Sequence, residues 1–180
     1  SSRPVLTIYI YMEWLLEKHS YRSNSLKEMI MATPFCLDRL DITMSDGAPF
    51  SFFFDGNGKI TRENGTFETP IPNAFSLIQV ADCPFATPVC KSVCYVHRLE
   101  KTEIKIHAAY THNSRILREI LAREDYFKTA VRSFSAWIES HCPKGFRWHV
   151  SGDIISLRHA EFIARVCHTT PCVPFWIYTR

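Results

Sequence analysis

The chain has 180 residues, of which 46% are hydrophobic and 22% are charged, and its formal net charge is +3. This composition is typical of a globular domain with a buried core and excludes a disordered tail. The charge is too small to indicate a nucleic-acid surface by itself, and no apolar run approaches the roughly 20 residues that cross a bilayer.

The first fifty residues predict a short strand at Val5–Tyr11 and helical stretches at Met12–His19 and Ser25–Ala32. The first apolar run contains acidic residues and lacks a small-residue cleavage site, so it is not typical of a signal peptide. We expect residues 1–50 to form an N-terminal appendage, followed by a domain over residues 51–180.

The middle of the chain predicts a hairpin, a buried strand and two helices. The run FSFFFDGNGKITRENGTF places asparagine and glycine, which tolerate the positive φ angles of tight turns, at two turn positions. The apolar run AFSLIQV, residues 74–80, is typical of a buried strand. Apolar residues at helical spacing then favour helices over 97–122 and Asp125–Ser140, and Pro143 and Gly145 follow as breakers.

The last forty residues predict a strand, a helix and a second strand: FRWHVSG, SLRHAEFIARVCH and VPFWIY. Ser156 suits the N-cap of this helix. Strand, crossover helix and strand form a βαβ unit, whose strands are parallel. With residues 74–80 as an earlier strand, the fold class is α/β, and we expect parallel βαβ units that begin either an open sheet or a barrel.

Three of the seven cysteines, Cys83, Cys90 and Cys94, fall within residues 83–94, which we call the cysteine segment. An odd number of cysteines without a secretion signal indicates a reducing, cytoplasmic compartment. There, clustered cysteines are metal ligands or catalytic groups more often than disulfides. Thiolates are soft ligands, so the metals that suit them are zinc, copper(I) or an iron–sulfur centre.

The spacing of the cysteine segment leaves several interpretations open. A structural zinc site requires four ligands, and His97 or one of Cys36, Cys142, Cys167 and Cys172 would be the fourth. An iron–sulfur cluster on three cysteines keeps one iron open to a ligand. Alternatively, the thiols are small buried apolar groups, because free cysteine is often buried. Redox-active thiols are less favoured, since the chain has no Cys-x-x-Cys pair.

Polar groups follow all three predicted strands of the parallel sheet. The cysteine segment follows residues 74–80, Ser151-Gly152-Asp153 follows the second strand, and Tyr178-Thr179-Arg180 follows the third. Because the carboxyl ends of parallel strands lie at one edge of a sheet, we expect these groups at one rim. Ser-Gly-Asp is equally typical of a turn in which aspartate bonds to its own backbone.

Five stretches between about residues 55 and 180 resemble a family of phage and bacterial proteins called gene product eighty-eight: GNGKI, FSLIQVADCPFATPVCKSVCYV, AAYTHNSRIL, HVSGDI and FWIYTR. That family is suspected to be related to radical S-adenosylmethionine enzymes. Its members continue past the final arginine into a further cysteine-containing segment, so we expect this chain to be truncated at its C-terminus.

The resemblance implies a partial, barrel-like α/β sheet with a [4Fe–4S] cluster on Cys83, Cys90 and Cys94. S-adenosylmethionine would bind the open iron through its amino and carboxylate groups. The reduced cluster would split the sulfonium and give a radical that abstracts hydrogen from an unknown substrate. The alternative is a non-enzymatic module that zinc stabilises through the same cysteines. A third hypothesis is a site that is complete only with residues beyond Arg180.

The resemblance also implies cofactor contacts. Ser151, Gly152 and Asp153 take the place of the glycine-rich turn that meets the methionine end of the cofactor, and Asp153 would accept a hydrogen bond from its ammonium group. Tyr95 and Arg180 are the other residues expected to contact the cofactor. The rigid fork of the Arg180 guanidinium suits a carboxylate. No membrane contact is expected. Basic residues scattered among acidic ones favour a solvated helix face over a nucleic-acid surface, so a nucleic-acid partner is neither indicated nor excluded.

Overall fold

A computed structural model of the chain describes residues 7–9, 37–56 and 72–179. The predicted helices at Met12–His19 and Ser25–Ala32 and the predicted turn at Asn64-Gly65 lie outside these residues. The described strands are β1 (Thr7–Tyr9), β2 (Asp38–Thr43), β3 (Pro49–Gly56), β4 (Pro72–Phe75), β5 (Phe146–Trp148) and β6 (Phe175–Tyr178). The described helices are α1 (Pro88–Ser92), α2 (Tyr95–Thr102), α3 (Ile104–Leu121), α4 (Glu124–His141) and α5 (Leu157–Thr169).

The strands form one mixed sheet in the order β1-β6-β5-β4-β3-β2. Neighbours from β1 to β4 pair in parallel, whereas β4, β3 and β2 pair antiparallel. Helices connect β4 to β5 and β5 to β6, so the prediction of parallel βαβ units is confirmed for these three strands. The prediction of a barrel-like sheet is corrected, because β1 and β2 lie at opposite edges and the described strands form an open sheet.

The antiparallel edge is a hairpin that the sequence pattern does not predict. β2 and β3 pair along the full length of β2, and the turn between them has Gly47 at φ +83°. Most residues of β2 are polar and partly exposed, so the strand lacks an apolar run. Ile42 and Met44 nevertheless pack into the main core. The division of the chain at residue 51 stays a prediction.

The helices follow their sequence signals closely. α4 covers the predicted Asp125–Ser140, and α2 with α3 covers most of the predicted 97–122. The predicted N-cap of α5 is confirmed, because Ser156 Oγ accepts a hydrogen bond from the His159 N–H at 3.1 Å. None of the described helices is long and apolar enough to cross a membrane.

The main core lies between one face of the sheet and helices α3, α4 and α5. Phe134 of α4 is fully buried at its centre, with its ring centroid 4.9 Å from that of Phe52 and 5.2 Å from that of Phe162. Such edge-to-face aromatic contacts add to the free energy gained by burying the rings. This packing holds the strands, and therefore their carboxyl ends, in fixed positions.

The second face of the sheet carries polar side chains. Asp55, Ala74 and Arg147 occupy one row across β3, β4 and β5, as the pairings of Ala74 show. Asp55 and Arg147 are buried. The alternation of strand side chains therefore separates an aromatic core on one face from ionisable groups on the other.

Candidate functional site

A pocket lies at the carboxyl ends of β4, β5 and β6, with an empty volume of about 490 Å³ that includes its open mouth. The three cysteines of the cysteine segment line this pocket, together with Tyr95, the turn at 150–153 and Tyr178. The structure therefore brings together the residues that follow three different strands. Arg180, the remaining predicted site residue, lies outside the described residues.

The three thiols share the pocket wall but are not gathered around one point. Cys83 and Cys90 are buried and Cys94 is half-buried. Thr87 Oγ1 accepts from the Cys90 N–H at 3.3 Å as the N-cap of α1, and Cys94 precedes the first residue of α2. Among the described residues, no three side chains of Cys, His, Asp or Glu are close enough to hold one metal ion as they stand.

The expected fourth zinc ligands that the structure describes do not line the pocket. His97 lies on α2, Cys142 follows α4 and donates from its Sγ to the Pro72 carbonyl at 3.2 Å, and Cys167 lies on α5. Cys172 is exposed, and Cys36 is outside the described residues. None of the described four is therefore placed to close a site with the cysteine segment in this arrangement.

The cysteine segment exposes large apolar side chains between its thiols. Phe85, Val89 and Val93 are 70%, 66% and 55% exposed. Their side chains make little contribution to the core, and the segment's only regular element is the five-residue helix α1. Cys83 and Cys90, by contrast, are buried, so the thiols and the exposed apolar side chains lie on opposite sides of the segment.

The turn Ser151-Gly152-Asp153 is held tightly against the residues that follow β4. Gly152 has φ +79°, and the Leu77 side chain packs directly against it. The Leu77 N–H donates to the Ser151 carbonyl at 3.0 Å, and Ser151 Oγ donates to Glu100 Oε1 at 2.9 Å. Glu100 is buried and also accepts from the Gln79 N–H at 3.2 Å.

Asp153 makes structural hydrogen bonds at the end of this turn. Its N–H donates to the Asp82 carbonyl at 2.7 Å, and its Oδ1 accepts from the Ile154 N–H at 2.7 Å and from Thr179 Oγ1. These bonds join the ends of β4, β5 and β6. The structural role expected for Ser-Gly-Asp is thus present, and contact of Asp153 with a cofactor stays a prediction.

Replacement of Gly152 by alanine is expected to destabilise the chain more than the same change at Gly47. Both glycines have positive φ, which costs an alanine about 1–2 kcal/mol. A Cβ at Gly152 would meet the Leu77 Cβ at 2.6 Å, whereas one at Gly47 meets nothing within 4 Å. Urea denaturation should show an additional loss of about 1–3 kcal/mol for Gly152→Ala. Equal losses in the two variants would contradict the close packing.

The buried carboxyl group of Asp55, on β3, is linked through Ser76 to Val150, the residue before the turn. Asp55 Oδ2 accepts from Tyr110 OH at 2.6 Å, and both of its oxygens accept from Ser76 Oγ at 3.1 and 3.2 Å. Ser76 Oγ in turn accepts from the Val150 N–H at 3.2 Å. Burial raises the pKa of Asp55 from 3.8 to about 6, although the bonds from Tyr110 and Ser76 oppose the shift.

The raised pKa of Asp55 predicts a loss of stability as pH rises. Between pH 4 and 6 the folded state binds more protons at this group than the unfolded state, so the free energy of unfolding falls. The gap from 3.8 to about 6 corresponds to about 3 kcal/mol. Asp55→Asn removes this contribution, so its stability relative to the native chain should rise by about that amount from pH 4 to 7 in urea denaturation.

Glu119→Gln, which changes an exposed carboxyl group on α3, is the control for this experiment. Its stability relative to the native chain should change by less than about 0.5 kcal/mol over the same range. A relative stability of Asp55→Asn that is flat with pH would show that Asp55 is ionised without penalty in the fold.

Asn113, in the stretch AAYTHNSRIL, lies away from the rim of the pocket. Asn113 is fully buried on α3, where its Oδ1 accepts from the Phe53 N–H at 2.9 Å and its Nδ2 donates to the carbonyls of Phe53 and Ser76. Arg115 is exposed and pairs with Glu119. The stretch AAYTHNSRIL therefore makes hydrogen bonds to the strands that carry the site, and it does not line the pocket.

Three polar residues of the pocket are not predicted by the sequence pattern. Gln79, Arg147 and His149 line it and are buried, and each has buried nitrogen or oxygen atoms without a hydrogen-bond partner among the described residues. His149 has φ +59° and its ring centroid is 5.1 Å from that of His159. Burial holds the pKa of His149 well below its usual value of 6.5. The one sequence signal is that His149 follows β5 directly.

Comparison with known proteins agrees with the resemblance seen in the motifs. Two relatives are the Gene 88 proteins of Mycobacterium phage L5 and Mycobacterium phage D29, each 34% identical over 103 residues, which is 54% of this chain and 42% of the relative. The aligned part thus spans less than half of either phage protein. No solved structure gives a significant match. The Gene product 88 family model matches residues 51–180, most of the chain, and the chain belongs to that family.

Proposed function

We propose that the pocket is the cofactor site of an iron–sulfur enzyme of the radical S-adenosylmethionine type. Cys83, Cys90 and Cys94 would hold a [4Fe–4S] cluster, and the turn Ser151-Gly152-Asp153 with Tyr95 and Arg180 would contact S-adenosylmethionine. The observation that carries the proposal is that the three thiols line the same pocket as that turn.

The donor set suits this group. Thiolates favour iron–sulfur clusters, and three of them leave one iron open to a further ligand. Because the thiols are not gathered around one point, cluster binding requires the cysteine segment to rearrange. Phe85, Val89 and Val93 are exposed, so such a rearrangement would not remove them from the core.

The bound cluster and S-adenosylmethionine would supply one-electron chemistry at a sulfonium. The chain's own residues would position the cofactor and shield it. The turn at 151–153 is fixed by hydrogen bonds to the segments after β4 and β6, so its contacts are in place before a ligand arrives. Tyr95 OH donates to the Val150 carbonyl at 2.9 Å and closes one side of the pocket.

The test is anaerobic purification followed by reconstitution with iron and sulfide. The proposal expects a brown protein with stoichiometric iron and sulfide, and a change in its absorption or electron paramagnetic resonance spectrum when S-adenosylmethionine is added. A colourless product with trace iron would contradict it. Stoichiometric zinc in the purified chain, with loss of folding on chelation, would instead support the zinc-stabilised module.

A further inference from the structure

Arg147 presents a buried positive charge to the pocket. It is 8% exposed, its Nη2 donates to Tyr95 OH at 3.3 Å, and its guanidinium carbon lies 4.5 Å from the centre of the Tyr178 ring. Its Nε is buried and has no hydrogen-bond partner among the described residues. The ion pairs within the described part of the chain do not include Arg147. A buried guanidinium whose direct contacts are only a neutral hydroxyl and a ring among the described residues, with Asp55 acting on it from two strands away, favours an anionic ligand.

Two neutral groups accompany this charge. Both polar atoms of the Gln79 amide and both ring nitrogens of His149 are buried without hydrogen-bond partners among the described residues, and both side chains line the pocket. Burial keeps the His149 ring neutral, because its pKa lies well below the usual value. These groups offer hydrogen-bond donors and acceptors but no further charge.

The charges around the pocket favour a single negative charge on the ligand. Among its lining residues that the structure describes, Arg147 is cationic and Asp153 is acidic. Asp55 lies behind Arg147 in the same row of the sheet. One guanidinium matches one carboxylate in a two-pronged hydrogen bond. A phosphate dianion would bring a second negative charge near two acidic groups, which repel it.

We propose that this pocket binds a small organic monocarboxylic acid, whose carboxylate meets Arg147 and whose second polar group meets Gln79 or His149. The rings of Tyr95 and Tyr178, beside the guanidinium, suit an apolar or aromatic body on that acid. The inference names a ligand class beyond the proposed cofactors. It does not depend on a metal, because none of these residues is a proposed ligand of one.

The experiment is titration of the metal-free, 180-residue chain with benzoate and phenylacetate, each beside its neutral amide, followed by nuclear magnetic resonance. The acids are expected to bind at least about tenfold more tightly than the amides, because only a carboxylate brings a negative charge and a two-pronged hydrogen bond to the guanidinium. Arg147→Gln should weaken binding of the acids by at least about tenfold and leave binding of the amides unchanged. Arg147→Lys should fall between, since it keeps the charge but loses the fork.

The control variant is Arg165→Gln, which removes an exposed arginine paired with Glu161 on α5 and should leave binding of the acids unchanged. The comparison of acid with amide uses the native chain alone, so it still tests the inference if an Arg147 variant does not fold. Equal binding of acid and amide, native affinity in a folded Arg147→Gln variant, or tighter binding of phenyl phosphate than of benzoate would overturn the inference. Carboxylate binding that persists in a chain unable to hold iron would count against the proposed function alone.

Discussion

Replacement of Asn113 by leucine is expected to lower the free energy of unfolding by about 3–5 kcal/mol, although the two side chains are similar in size. Asn113 lies where β4 separates from β3 and satisfies three backbone groups, the N–H and carbonyl of Phe53 and the carbonyl of Ser76. Leucine would leave all three groups buried without a partner. The segment after Ser76 leads into the pocket, so the variant should also disturb the site.

Urea or thermal denaturation of Asn113→Leu measures this loss. Thr111→Ala is the matched control on the same helix, because Thr111 is exposed and its hydroxyl donates to the His107 carbonyl one turn earlier. The control should change the free energy of unfolding by less than about 0.5 kcal/mol. If Asn113→Leu were as stable as the control, its amide could not be the group that joins β3 to the segment after β4.

The triple substitution of Cys83, Cys90 and Cys94 by serine is expected to reduce bound iron after anaerobic reconstitution to trace levels. Serine is nearly the same size as cysteine, but its hydroxyl is a hard ligand that binds iron–sulfur clusters poorly. Each single variant should lose most of the iron, because a cluster with two protein ligands is no longer enclosed. Iron and sulfide analysis of each variant beside the native chain measures the effect.

The control for this prediction is Cys172→Ser, which changes an exposed cysteine that does not line the pocket. This variant should bind as much iron as the native chain. Native iron content in the triple variant, or an equal loss in Cys172→Ser, would show that iron binds elsewhere or nonspecifically. Circular dichroism would establish that each variant retains its helices before the iron contents are compared.

Local sequence signals predict the helices and the pocket rim well. Two signals predict α4 and α5: the spacing of apolar residues along α4 and the serine before α5. Both involve residues only three or four positions apart, so they can be recognised in the sequence alone. The convergence of the cysteine segment with Ser151-Gly152-Asp153 follows from the direction of parallel strands. To predict this convergence, the sequence has to reveal only the order of the strands and crossover helices.

The remaining features depend on contacts between distant residues. The predicted strand at 74–80 ends at Phe75, because the Leu77 N–H bonds to Ser151 and the Ile78 N–H bonds to Ser114 Oγ at 2.9 Å in place of a neighbouring strand. β2 forms because β3 offers it a partner along its full length. The unpartnered atoms of Arg147 are visible only once Tyr95 and Tyr178 are placed around it.

The most direct test of the cofactor site is an anaerobic crystal structure of the iron-reconstituted chain, with anomalous scattering measured at the iron edge. We expect one strong anomalous peak in the pocket, bonded to the Sγ atoms of Cys83, Cys90 and Cys94, with the cysteine segment closed around it. An iron-loaded crystal with its peak elsewhere, or with any of the three thiols turned away from the metal, would contradict this account.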